Sequence, residues 1–106
     1  MSSKWRRYEV LIPLQLNDGS DVPEELLSDA VFEILDHFQG VAFENLNLVG
    51  HWLHEGDLYR DNLSRLTVDV PSTAKNRRWM KQFKARWKER LEQLELWVVS
   101  WQIDIE

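Results

Sequence analysis

Apolar residues fall on every second position at Tyr8, Val10, Ile12, Leu14 and Leu16, with Arg7, Glu9 and Gln15 between them. A period of two predicts a strand with one face in a core. Pro13 cannot donate to a ladder, so an irregularity is expected there. Asn17-Asp18-Gly19-Ser20 then supplies turn chemistry. Beyond it the period changes. Leu26, Leu27, Ala30, Val31, Ile34, Leu35 and Phe38 recur at three- and four-residue steps, which predicts an amphipathic helix. Asp21 and Glu24 have capping-box spacing, Pro23 is tolerated in a first turn, and Gly40 fits a C-terminal cap.

From Val41 to His54 the alternation is less regular, although Leu46, Leu48 and Trp52 share one phase. Glu55-Gly56-Asp57 reads as a hairpin loop, and Tyr59 to Val70 as the return strand, with Leu66, Val68 and Val70 alternating against Thr67 and Asp69. Pro71 ends it. Ser72 or Thr73 then caps a long second helix through about Glu95, with Trp79, Phe83, Trp87, Leu91 and Leu94 as its apolar stripe. Trp97, Val99, Trp101, Ile103 and Ile105 alternate with Ser100, Gln102 and Asp104, which predicts a last strand whose tryptophans point to the core. The order βαββαβ is that of the ferredoxin-like split unit. The expectation is one α+β domain over residues 1–106, a four-stranded antiparallel sheet with both helices on one face.

Composition narrows the classes. At 106 residues a single core suffices. Apolar content of 43% and charged content of 29% place the chain with soluble globular proteins and away from disorder. The absence of cysteine excludes disulfides, thiolate zinc sites and cysteine nucleophiles. No apolar run is long enough for a membrane-spanning helix. The basic start at Lys4, Arg6 and Arg7 leads into a stretch with no small-residue cleavage site. A cytoplasmic location is therefore expected. A net charge of −5 argues against duplex DNA as a partner.

Charge is unevenly spread. Residues 75–90 hold eight of the thirteen basic residues and one acid, Glu89, a local +7 against −12 for the remainder. Arg77, Lys81, Lys84 and Lys88 form one stripe beside the apolar arc of the second helix, a candidate anion-binding surface. Glu25, Asp29, Glu33 and Asp36 line the polar side of the first helix, and plain pairing between the two stripes is the favoured expectation. An RNA-recognition surface would need aromatics on the open face of the first and third strands. The third offers Arg60, Asn62, Ser64 and Tyr59 with no Arg/Lys-Gly-Phe-like run, and the first has Trp5 on the open phase but Tyr8 with the core set, so that reading is not favoured.

The remaining chemistry gathers at the hairpin. His51, Trp52, His54, Asp57, Tyr59 and Asp61 form a candidate ligand or partner site. On a strand His51 and His54 fall on opposite faces, a poor chelating pair, so no metal is assigned. Asp18 and Asp21 lack the later ligands of a calcium loop. No phosphate-cradling glycine motif and no nucleophile elbow occurs, so no catalytic residue and no cofactor is assigned. The phase left for the open sheet face carries Trp5, Leu11, Val49, Leu96 and Val98, an apolar surface that suits a second copy of the chain.

Trp52-x-x-x-Gly56, Asp61 and the regular Leu66-Thr67-Val68-Asp69-Val70 strand, set in this architecture, resemble the PII and CutA group. The resemblance implies a trimeric regulatory or metal-tolerance-linked protein with sheets around a central axis. No histidine follows His54 and no Gly-x-Gly-Lys segment is present, so no binding residue is carried over. Two function classes result. The first is a homo-oligomeric binding or regulatory module with a small-molecule or protein ligand. The alternative is a small cofactor-independent enzyme of the dimeric α+β-barrel type, for which His51, His54 or Tyr59 would supply a polar group in an apolar cavity.

Overall fold

The computed structural model describes residues 4–40 and 42–106, with side chains given for those outside 42–54 and 57–61. Its elements run β1 (Trp5–Pro13), α1 (Glu24–Phe38), β2 (Ala42–His54), β3 (Asp57–Pro71), α2 (Ala74–Arg90) and β4 (Trp97–Ile103). The strands lie in the order β2-β3-β1-β4, and all three pairings are antiparallel. The fold is α+β, two helices on an antiparallel sheet. Among the described residues no helix is long and apolar enough to cross a membrane.

The core joins Tyr8, Val10 and Ile12 of β1 and Leu66, Val68 and Val70 of β3 to both helices, through Ala30 and Ile34 of α1 and Met80, Phe83 and Trp87 of α2. Both helices therefore cover the same sheet face. The period-two and period-3.6 patterns put these residues there, since each leaves one apolar side to bury.

Helix ends depart from the expected capping. Asp21 bridges to Gln15, and Val22 N–H donates to the Leu14 carbonyl at 2.8 Å, so this stretch folds back on the strand exit instead of capping. α1 starts on Pro23 with no side-chain cap. At the other end the left-handed position is Gln39, φ 64°, not Gly40. Its N–H donates to the Leu35 carbonyl and its side chain to the Asp36 carbonyl, both at 2.7 Å, which offsets the cost of a non-glycine residue there. α2 is capped as expected by Thr73, whose Oγ1 accepts from the Asn76 N–H at 3.1 Å. It stops at Arg90, short of Glu95. Leu91 is buried as the cap, the positive φ of Glu92 turns the chain away, and Leu94 is left exposed.

The largest correction concerns β4. Its ladder sets Val10 opposite Val98 and Tyr8 opposite Ser100, whereas Leu11 faces Trp97, Glu9 faces Val99, Arg7 faces Trp101 and Trp5 faces Ile103. Directly opposed residues share a face, so Trp97, Val99, Trp101 and Ile103 lie on the open side. Trp97 is 59% exposed and Trp101 43%. Leu96, 1% exposed, and the half-buried Val98 belong to the core instead. The physical reason is local. Leu96 and Val98 fill the strip of core beneath α2, and the polar positions that follow in their phase are satisfied at the rim, where Arg6 donates to Ser100 and Ser72 at 3.1 and 3.2 Å.

β3 meets β1 only from Leu63 to Pro71. The Asn62 carbonyl still accepts from the Leu14 N–H at 2.8 Å. Beyond it, among the described residues, Asp57 to Asp61 pairs with β2 alone, a two-stranded ribbon that turns on Glu55 and Gly56, φ 51° and 84°. Two adjacent positive φ values are what a tight hairpin turn requires, and Gly56 adopts its own without a Cβ clash.

Candidate functional site

Three regions carry chemistry: the open sheet face, the hairpin ribbon and the outer side of α2. On the open face the charges are paired internally. Arg7 holds Asp69 through two bonds, Nε to Oδ1 at 2.7 Å and Nη2 to Oδ2 at 2.9 Å. Arg65 reaches Glu9 at 2.5 Å. The hydrogen bond from Arg7 holds the Asp69 carboxyl below the usual range against a modest opposing effect of burial. These pairs run between β1 and β3, and the neighbouring column along β4 is the apolar one. Two cations meet two anions, so the described face offers a wholly apolar strip beside a neutral polar one.

The hairpin candidates occupy the ribbon. Its ladder sets Gly50 opposite Asp61, His51 opposite Arg60, Trp52 opposite Tyr59 and His54 opposite Asp57. The side chains of His51, Trp52, His54, Asp57, Tyr59 and Asp61 lie outside the described residues, as does that of Val49. Among the described residues no group of three or more His, Asp or Glu is placed to hold a metal ion. Asp18 serves its own turn, accepting from the Ser20 N–H at 2.9 Å and the Ser20 hydroxyl at 2.5 Å, and both bonds lower its pKa.

The basic stripe does not meet α1. The carboxylates of α1 pair with the neighbouring row of α2 instead: Glu33 takes Arg86 and the indole N–H of Trp87, the latter at 2.8 Å, and Asp29 takes Arg90 at 3.4 Å. Arg90 and Arg86 also lie over the rings of Trp87 and Trp79. Trp79 stacks on His37 with ring centres 4.3 Å apart, so the aromatic rings of α2 seal the helix pair. A helical wheel gives the angle between two stripes but not which flank of the apolar arc the neighbouring helix takes. The expectation of pairing chose the wrong row.

Arg77, Lys81 and Lys84 face the other way, over β4. They line an open cleft of about 240 Å³ whose floor includes Tyr8, Met80, Val98 and Ser100. Lys88, the fourth residue of the stripe, is not part of that lining. Lys84 is partly neutralised by Glu95 at 3.1 Å, and its hydrogen bond, with that of the Leu96 N–H, lowers the Glu95 pKa. Arg77 and Lys81 are exposed and form no ion pair with any described residue. Sequence reasoning found these three cations but missed Tyr8 and Ser100 as their neighbours, because only the ladder register brings them together.

Comparison with known proteins matches the fold. No protein-family model matches the sequence, and no curated protein matches it. Solved structures do. CutA1 from Oryza sativa superposes with a TM-score of 0.67 at 12% identity, over 99% of this chain and 84% of that one. The divalent cation tolerance protein CutA1 from Thermus thermophilus gives 0.65 at 13% identity, over 96% and 86%. A phage SAM lyase in complex with S-methyl-5′-thioadenosine gives 0.70 at 11% identity, over 100% and 94%. The expected likeness to the PII/CutA architecture thus stands as a likeness of fold, which by itself assigns no activity.

Proposed function

We propose that this chain is a one-domain, cytoplasmic, homo-oligomeric binding module of PII/CutA-like architecture, a dimer or trimer assembled through the open sheet face. The observation that carries the reading is the column of Trp97, Val99, Trp101 and Ile103 along an edge strand, flanked by Trp5 and Leu11. An exposed apolar edge invites pairing and is normally covered. The occupant is a second copy because the charges beside that column are already paired within the chain, through Arg7–Asp69 and Arg65–Glu9. Such a face selects shape and apolar area over an oppositely charged partner.

Sizing with light scattering tests this. The native chain should run as two or three copies of 12.7 kDa, and Leu11→Lys or Trp101→Lys should give a smaller species with an unchanged circular-dichroism spectrum. A native protein that stays monomeric at tens of micromolar, roughly −6 kcal/mol of association, ends the reading.

A second reading, a small cofactor-independent enzyme, draws on the full-length likeness to the phage SAM lyase. Incubation with S-adenosylmethionine followed by chromatography for S-methyl-5′-thioadenosine decides it. Absence of product at high protein concentration removes that lyase activity from consideration.

A further inference from the structure

We infer that the cleft between α2 and β4 is a binding site for a compact phosphate monoester, with the phosphate held by Arg77 and Lys81 and a hydrogen-bonding body seated against Tyr8 and Ser100. Three observations converge there. The lining holds three cations and no carboxylate, in a chain whose net charge is −5. Arg77 and Lys81 form no ion pair with a described residue, although acids outnumber bases over the chain as a whole. Tyr8 is only 5% exposed and lines the cleft, yet its hydroxyl makes no hydrogen bond to any described residue.

The Tyr8 ring is packed in the core while its hydroxyl stays open at the cleft, so this side chain presents a free hydrogen-bonding group there. Phenylalanine would fill the same core position and leave the cleft without it. Ser100 adds a second hydroxyl, oriented by the bond its oxygen accepts from Arg6.

Phosphate is favoured over carboxylate by charge and geometry. A guanidinium and an ammonium one helical turn apart, with the half-neutralised Lys84 beyond, present close to two net positive charges, which a dianion matches. A cleft of about 240 Å³ lies below the size typical of drug-like ligands, so the body attached to the phosphate is small. The site's polar groups all come from one chain, and it touches the open face only through Val99 of β4, so it does not rest on the oligomer reading.

Calorimetric titration of the full chain tests it, with inorganic phosphate, glucose 6-phosphate, glucose and acetate as probes. Glucose 6-phosphate should bind saturably and more tightly than inorganic phosphate, and glucose and acetate should not register. The double variant Arg77→Gln/Lys81→Gln should weaken binding at least tenfold, and Tyr8→Phe several-fold with an unchanged circular-dichroism spectrum. Arg78→Gln, which removes an exposed α2 cation outside the lining, should change nothing. Light scattering on the same samples separates a lost site from a lost assembly. No saturation by either phosphate up to roughly 10 mM, about −3 kcal/mol, overturns the inference. So does tighter binding of acetate, or an equal loss in Arg78→Gln, which would mark a diffuse basic surface.

Discussion

Glu33 holds two donors of α2 at once, the Arg86 guanidinium and the indole N–H of Trp87 at 2.8 Å. Trp87 is fully buried, so this carboxylate completes a donor that water cannot reach. Glu33→Ala should cost about 1–3 kcal/mol, the penalty of leaving such a group unsatisfied, and Glu33→Gln, which keeps an acceptor, clearly less. Urea midpoints of the two variants compare the effects directly. Ser64 offers the reverse case. Its hydroxyl is buried with no partner among the described residues, so Ser64→Ala should be neutral or stabilising by up to about 1 kcal/mol. Asp69 adds a pH dependence. Because Arg7 depresses its pKa in the folded chain, its contribution is complete above the ordinary carboxylate range and is lost as pH falls through the depressed value. Asp69→Asn should therefore be less stable than the parent near neutrality and converge with it in acid, as thermal melts across pH would show.

Both helices, β1 and β3 were legible in the sequence because each has a single apolar phase, punctuated by Gly19, Pro23, Pro71 or Thr73. β4 was legible as a strand and illegible in its sidedness. Leu96 and Val98 on one phase compete with Trp97 and Val99 on the other, and local hydrophobicity favours the tryptophans. The decision comes from the ladder with β1 and from how far α2 extends over the sheet, neither of which has a sequence signal. The same holds for the α2 cations: their spacing was readable, but which row would meet α1 depended on packing. The reversed sidedness can be checked by one contrast. Val98→Lys places a charge at the edge of the core and should lower the unfolding midpoint markedly. Trp101→Lys should leave monomer stability nearly intact and act on assembly alone.

Assembly and anion binding should respond to salt with opposite signs. Each copy carries −5, so added salt screens repulsion between subunits and favours the oligomer, while it weakens a phosphate held by Arg77 and Lys81. A salt series followed by both light scattering and calorimetry reads the two trends together. Shape introduces a further consequence. The extents of 49 × 30 × 24 Å make the molecule long in one direction, and among the described residues the ribbon from Asp57 to Asp61 is paired only to β2. A two-stranded ribbon without a third strand is marginal in water. Its amides should then exchange with deuterium through local opening, far ahead of those in the β1–β3 ladder, and on a clock of their own. If a neighbouring subunit supports the ribbon, that clock slows as protein concentration rises, and the hairpin becomes a reporter of assembly written into the backbone itself.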